Sequence, residues 1–289
     1  MATSSTSITS LQALKRYLRL TTSDDDRLLT ELLDAATNRI EEFCQRTFVS
    51  ATYKQFISGS GEGTLSLPNF PVTAIRRLGW ERKNAISVDA STSTDLRATV
   101  EVQNDQIVLK RWDSVGAETE TSIAFADYLT TALMATQITT ITGWTATADA
   151  TVLCDELMRQ GGQDALSSSA QLYYLKSTDA DYRVDEDSGR VDLISAQSET
   201  GWYPFEPNAF PRGSHNIFVD YTAGYAQASV PMALQEICFE IVSSAYHGGK
   251  HDPTVASESL DGYSYSTRNA LELRDDQMRR MYQYRRNAE

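Results

Sequence analysis

Two amphipathic helical patterns stand near opposite ends of this 289-residue chain, and neither can bury its apolar stripe alone. In residues 26–48, DRLLTELLDAATNRIEEFCQRTF, apolar side chains recur at Leu29, Leu32, Leu33, Ala36, Ile40, Phe43 and Cys44, the i, i+3, i+4, i+7 spacing of a helix with one buried face. Ser23 or Asp24 is placed to cap it. In residues 230–249, VPMALQEICFEIVSSAYHGG, the face is Leu234, Ile237, Cys238, Ile241, Val242 and Ala245. Pro231 suits the first turn, and Gly248-Gly249 can end the helix. A shorter helix over SLQALKRYLRL, with Leu11, Leu14 and Leu18 together, precedes the break TTSDDD. The long C-terminal helix is expected to lie across this N-terminal pair.

Between the two ends the periodicity shifts towards two. FVSATYKQFI (48–57) and VTAIRRLGW (72–80) read as strands, separated by SGSGEG and by the proline-flanked corner LSLPNFPV. Residues 81–172 have their own composition, rich in Thr, Ala and Asp. RATVEVQNDQIVLKRW predicts a hairpin turning at Asn104-Asp105. Thr121 or Ser122 precedes a predicted helix with Phe125, Leu129, Leu133 and Met134 on one broad face. ITTITGW reads as a strand, and ADATVLCDELMRQGG as a second helix. LYYLKS, the hairpin YRVDEDSGRVDLIS and HNIFVDYTAGY follow as strands, and WYPFEPNAFPRG as an ordered, aromatic-anchored loop.

These elements predict an α+β fold: a helical-bundle core, a small antiparallel sheet and an inserted mixed α/β subdomain. The expected divisions are 1–80, half of the core; 81–172, the insertion; 173–249, the other half; and 250–289, an extended arm. The arm has no core of its own. Its Leu271, Leu273, Met278, Met281, Tyr282 and Tyr284 need another surface, and Arg279, Arg280, Arg285 and Arg286 suit an acidic one.

No catalytic, cofactor or metal site emerges. Cys44, Cys154 and Cys238 form no CxxC. The DEDSG carboxylates Asp185, Glu186, Asp187 and Asp192 lack the spacing of a calcium loop, and GSGEG lacks the lysine of a phosphate-binding loop. His247 and His251 are interrupted by Gly-Gly, and Trp80, Trp112, Trp144 and Trp202 read as core or interface anchors rather than a sugar platform. No apolar run approaches a membrane span. Enzyme chemistry is not expected.

The formal charge is −13, unevenly spread: residues 1–94 carry 11 basic and 10 acidic side chains, 95–267 carry 9 and 25, and 268–289 carry 6 and 4. Such a middle either keeps a surface hydrated or repels something anionic. It excludes a free-standing nucleic-acid binder.

The order SLQALKRYLRLTTSDDDRLLTELLDAATNRIEEFCQRTF, LPNFPVTAIRRL, YRVDEDSGRVDL and FVDYTAGYAQASVPMALQEICFEIVSSAYHG resembles the head-tail connector (adaptor, or head-completion) proteins of tailed bacteriophages and related gene-transfer particles. The features that carry it are Leu11, Lys15 and Leu18; Asp25, Asp26 and Leu29; Phe43 or Phe48; Pro68, Pro71 and Val72; Tyr221 through Tyr225; and Pro231. The resemblance covers about residues 8–80 and 173–250 and leaves 81–172 outside it.

The resemblance implies a structural virion protein of the neck, assembled in the host cytoplasm as a closed ring, commonly of twelve. It implies the portal protein, a downstream neck or tail protein and packaged double-stranded DNA as partners, the DNA threading a central channel without sequence-specific binding. Portal or inter-subunit contacts then fall to the arm residues named above. A head-closure or tail-completion role is the nearer alternative, and a carbohydrate-active or carbohydrate-binding protein built on the insertion the more distant one.

Overall fold

The structure, a computed structural model, describes residues 7–91, 94–178, 180–194, 209–248, 257–260, 263–266 and 273–286. Its first helix, α1 (Leu11–Leu18), starts where the Ser10 hydroxyl accepts the Ala13 amide at 3.2 Å. Lys15 then pairs with Asp26 at 2.6 Å, tying α1 to the start of α2 (Asp26–Cys44). The residue that caps α2 is Asp25, not Ser23 or Asp24, and its carboxylate accepts the Tyr246 hydroxyl instead of a helix amide. The distant C-terminal helix thus engages the side chain at the capping position of α2.

The strands are β1 (Ala51–Gly59), β2 (Thr64–Ser66), β3 (Val72–Ala90), β4 (Arg97–Val102), β5 (Gln106–Trp112) and β6 (Glu118–Ala124). After α3 (Thr131–Thr140) come β7 (Trp144–Ala148), β8 (Gln160–Asp164), β9 (Ala170–Ser177), β10 (Tyr182–Asp185), β11 (Arg190–Leu193) and β12 (Gly213–Ala223). Helix α4 (Met232–Gly248), the hairpin β13 (Ser257–Leu260) with β14 (Tyr263–Ser266), and α5 (Asp275–Met281) complete the chain. With both helices and antiparallel sheets, the fold class is α+β.

Three apolar clusters organise it. Helices α1, α2, α4 and α5 enclose the first, built on Leu14, Leu29, Leu33, Ile40, Leu234, Ile237, Ile241 and Val242. Leu32 and Phe43 lie at its margin, and Cys44 and Cys238 are fully enclosed. The second lies between one face of β1-β12-β3 and the small sheet β10-β11-β2, with Val191, Ile217, Val219 and Tyr221 inside. The third is confined to residues 85–172, where the sheet β6-β5-β4-β8 faces α3, β7 and β9 around Val100, Ile107, Met134, Ile138 and Leu172. We refer to that region as the second lobe.

Four features of this region differ from the sequence reading. Strand β3 runs unbroken across residue 80, pairing with β12 through Gly79 and with β9 and β7 beyond it, so that position is the middle of a strand. Residues 118–124 form β6, and α3 begins only at Thr131, where the Thr130 hydroxyl accepts the Leu133 amide. Phe125 and Met134 are buried, but Leu129 precedes the helix and Leu133 lies off its buried face of Thr131, Met134, Ala135 and Ile138, so both leucines face water. ITTITGW is split between the end of α3 and β7 by Gly143 at φ +88°. ADATVLCDELMRQGG makes a single 3₁₀ turn, Cys154–Glu156, and then leads to β8. The aromatic loop at 201–208 lies outside the described residues, although Phe210 at its end is buried against Trp80.

Candidate assembly interfaces

The motifs that the sequence offers at its two ends meet at one junction. The Phe48 carbonyl accepts the Tyr225 amide (2.7 Å), the Tyr225 carbonyl accepts the Ser50 amide (2.8 Å), and the Pro71 carbonyl accepts the Gly224 amide (2.8 Å). Asn69, buried beneath, accepts the Thr47 amide at 3.0 Å. Gly224 has φ +105°, and a Cβ there would lie 2.8 Å from the backbone of Val49. The Tyr-Thr-Ala-Gly-Tyr run therefore needs its glycine both for conformation and for close approach. Arg46, at the end of α2, lies 3.6 Å from the Phe70 ring centroid and 4.7 Å from that of Phe48, and burial pulls its pKa down. The end of α2, the proline corner, the end of β12 and the approach to α4 are thereby fixed together.

The C-terminal segment docks on this chain's own helices. Met281 is wholly buried in the helical cluster, and Leu273, Met278 and Tyr284 pack against it. Arg280 bonds both carboxylate oxygens of Glu240 at 2.8 Å, Arg274 bonds one of them at 2.6 Å, and Gln277 adds a hydrogen bond of 3.0 Å. Burial alone would raise the Glu240 pKa, but the Gln277 and Arg280 hydrogen bonds, with the Arg280 and Arg274 charges, hold it below the ordinary value. The Arg286 amide reaches the Cys44 carbonyl at 2.9 Å, and the Arg285 guanidinium lies 5.8 Å from the Phe43 ring centroid. Arg279 and Tyr282 face water, as do the side chains of Arg285 and Arg286, and Leu271 lies outside the described residues. The sequence reading missed this fold-back because every apolar residue of the segment is equally able to cover another subunit.

The second lobe is moored to the main sheet through consecutive acids of its 3₁₀ turn. Asp155 takes Lys54 of β1 at 2.6 Å, and Glu156 takes Arg77 of β3. The Arg77 guanidinium also donates to the Leu175 carbonyl and to Ser177, and lies over the rings of Phe218 and Tyr174. A shallow hollow of about 500 Å³ beside this pair is lined by Thr130, Val152, Leu153 and Tyr174 among others. Neither acid stood out in the sequence, since the partners lie 101 and 79 residues away.

Burial pushes the Cys44 thiol up to about 11 and those of Cys154 and Cys238 up to about 12. No group of three or more His, Cys, Asp or Glu converges on a metal position among the described residues, and no helix there is long and apolar enough to cross a membrane. Asp185 and Ser188 close the DEDSG hairpin, with Gly189 at φ +72°.

No curated protein matches the chain. Among solved structures it is similar to a chain of the neck of an empty GTA particle with C6 symmetry (15% identity, 100% of this chain and 94% of that one, TM-score 0.41). It is also similar to a chain of the virion of a native gene transfer agent particle (15%, 100% and 94%, 0.43), and to one of the neck of a native GTA particle with C12 symmetry (12%, 100% and 93%, 0.41). The family described as Phage gp6-like head-tail connector protein matches residues 8–111, from the entry to α1, through the proline corner and along all of β3, into the β4-β5 hairpin. The family match thus coincides with the N-terminal part of the resemblance read from the sequence, residues 8–80, and runs on into the second lobe as far as residue 111.

Proposed function

We propose that the chain is a structural subunit of the neck of a tailed-phage-like particle. Copies close into a ring, commonly of twelve, that joins the portal vertex to the tail or the next neck protein and leaves an axial channel for genomic DNA. The observation that carries this reading is the connector-family match over residues 8–111, which includes two of the parts that build the junction, the end of α2 and the proline corner. The absence of an accessible thiol and the mechanical tying of the chain's two ends suit a load-bearing part better than an enzyme.

The acidic stretch 95–267 is compatible with a channel that lets a duplex slide without gripping it, since phosphate binding needs cationic surface. Among the described residues of the C-terminal segment, Arg279, Tyr282, Arg285 and Arg286 are exposed and available to meet the portal or a neighbour. Residues 1–80 and 173–249 make the adaptor core of this reading, with 81–172 as its insertion and 250–289 as its arm. Electron microscopy of the purified protein mixed with isolated portal tests it. A ring stacked coaxially on the portal is the expected image; a protein that remains monomeric, or that binds tails and ignores portals, overturns the reading.

A further inference from the structure

The second lobe leaves five large apolar side chains in water, and they fall at its two ends. Leu129, Leu133 and Leu153 are 63%, 54% and 42% exposed. They stand together beside the start of α3, where Thr130 bridges to Leu153 and the Leu129 carbonyl accepts the Cys154 amide at 2.9 Å. Leu96 and Val115 are 66% and 85% exposed. The Leu96 amide bonds the Trp112 carbonyl at 2.8 Å, and Val115 sits in the β5–β6 turn that follows. Arg111, next to Trp112, reaches the Thr142 carbonyl at 2.7 Å, just past the end of α3. The ten residues of α3 thus separate the two patches by about 15 Å.

Charge gives these patches an occupant. Copies of a chain with a formal charge of −13 repel one another unless the surfaces they bring together are neutral or complementary. From Tyr128 to Ala148 there is no Asp, Glu, Lys or Arg, and this stretch joins the leucine end to the far end of α3. Asp127 is exposed beside the leucines, whereas Arg97, lying 5.0 Å from the Trp112 ring centroid, is exposed at the opposite end. The other charges near Leu96 and Val115 are engaged within the chain: Arg111 with Asp95, Asp113 with the Val115 and Ala117 amides, and Glu118 4.0 Å from Lys110.

We propose that the second lobe is a self-association module, in which the Leu129–Leu133–Leu153 patch of one copy seats on the Leu96–Val115 end of the next. Because the two surfaces differ, the contact is heterologous, the kind that repeats head to tail and closes only by rotation. The proposal rests on the ring-forming reading above and names a surface for it.

The test is the full chain carrying Leu133→Cys together with Val115→Cys, oxidised and run on a non-reducing gel. A disulfide needs Cα atoms about 4.4–6.8 Å apart, so the two positions cannot bridge within one chain. Both are exposed, and the native thiols are buried. A ladder of multimers is expected from the double variant, with monomer alone from each single variant.

Dimers from Leu133→Cys by itself would overturn the head-to-tail pairing. A missing ladder, in conditions where portal-bound rings form, would overturn the proposal and leave the ring reading standing. A ladder with no ring on the portal would support the self-contact and sink the portal reading. Charge exchange supplies an independent check: Asp127→Arg and Arg97→Asp each weaken association roughly threefold, and the combined variant restores it. Failure of that restoration would overturn the pairing.

Discussion

The helical end of the molecule and the second lobe are built on opposite plans. At the helical end, segments from both termini converge: α1 and α2 lie against α4 and α5, and the junction joins residues 46–50 and 69–71 to 224–225. The second lobe draws its core from one continuous stretch, 85–172, and reaches the rest of the molecule through β3, β9 and the acids of one turn. A region closed by remote segments holds its geometry only when all of them are in place. A locally built lobe keeps its shape by itself and needs an anchor to hold its direction.

The largest effect that would break this comparison is expected at Gly224. Gly224→Val forces a β-branched residue into positive φ and against the Val49 backbone, and should destabilise by about 4 kcal/mol. Thermal unfolding measures it; a midpoint unchanged within error would show that the junction is not what closes the helical end. Next comes the mooring. Glu156→Gln leaves the half-buried Arg77 without its carboxylate and should cost about 2–3 kcal/mol.

Amide exchange should rise along Cys154–Leu157 and in the adjoining part of β9, and stay unchanged at Val100 and Ile107 in the lobe core. Exchange spreading through β4 and β5 would mean that the lobe is not independently built. The smallest effect concerns the C-terminal segment. Glu240 has a depressed pKa, so its pairing with Arg274 and Arg280 contributes fully above the unfolded value near 4.5 and is lost as the pH falls through the lower folded value. Limited proteolysis should therefore release residues 273–286 more readily in acid than at neutral pH, and Glu240→Gln should flatten that dependence.

The same contrast explains what was legible from residues alone. Helix α2 has one apolar stripe and a charged remainder and α4 an apolar face opposite a polar one with Glu236, Glu240 and serines, so Leu29, Leu33 and Ile40, with Leu234, Ile237 and Ile241, announce both the element and its buried side. Helix α3, TALMATQITT, has no charged face to set its phase, and its start is chosen by the Thr130 hydroxyl and by the buried Thr131, whose backbone and side chain bond the Ala150–Val152 segment. The turn at Cys154–Glu156 was likewise hidden, because ELM preceded by CD reads as helix until Lys54 and Arg77 claim the acids. In the C-terminal segment the apolar residues were visible, but whose surface they cover depended on Glu240 and on the open end of the α2–α4 groove.

The unbroken course of β3 has a mechanical consequence. At about 3.3 Å per residue its 19 residues span up to about 60 Å of extended chain, somewhat less where its bulges bend it. A pull on the outer lobe is received by covalent backbone and by hydrogen-bond ladders with β12 on one side and β9 on the other, all loaded in shear. Gly79, where an added Cβ would lie 2.2 Å from the Lys176 carbonyl oxygen, lets those two ladders meet at the same residue, with no slack loop between them. The strand therefore works as a stiff tie rod, and force applied at one end of the molecule arrives at the other with little chance to dissipate in a hinge.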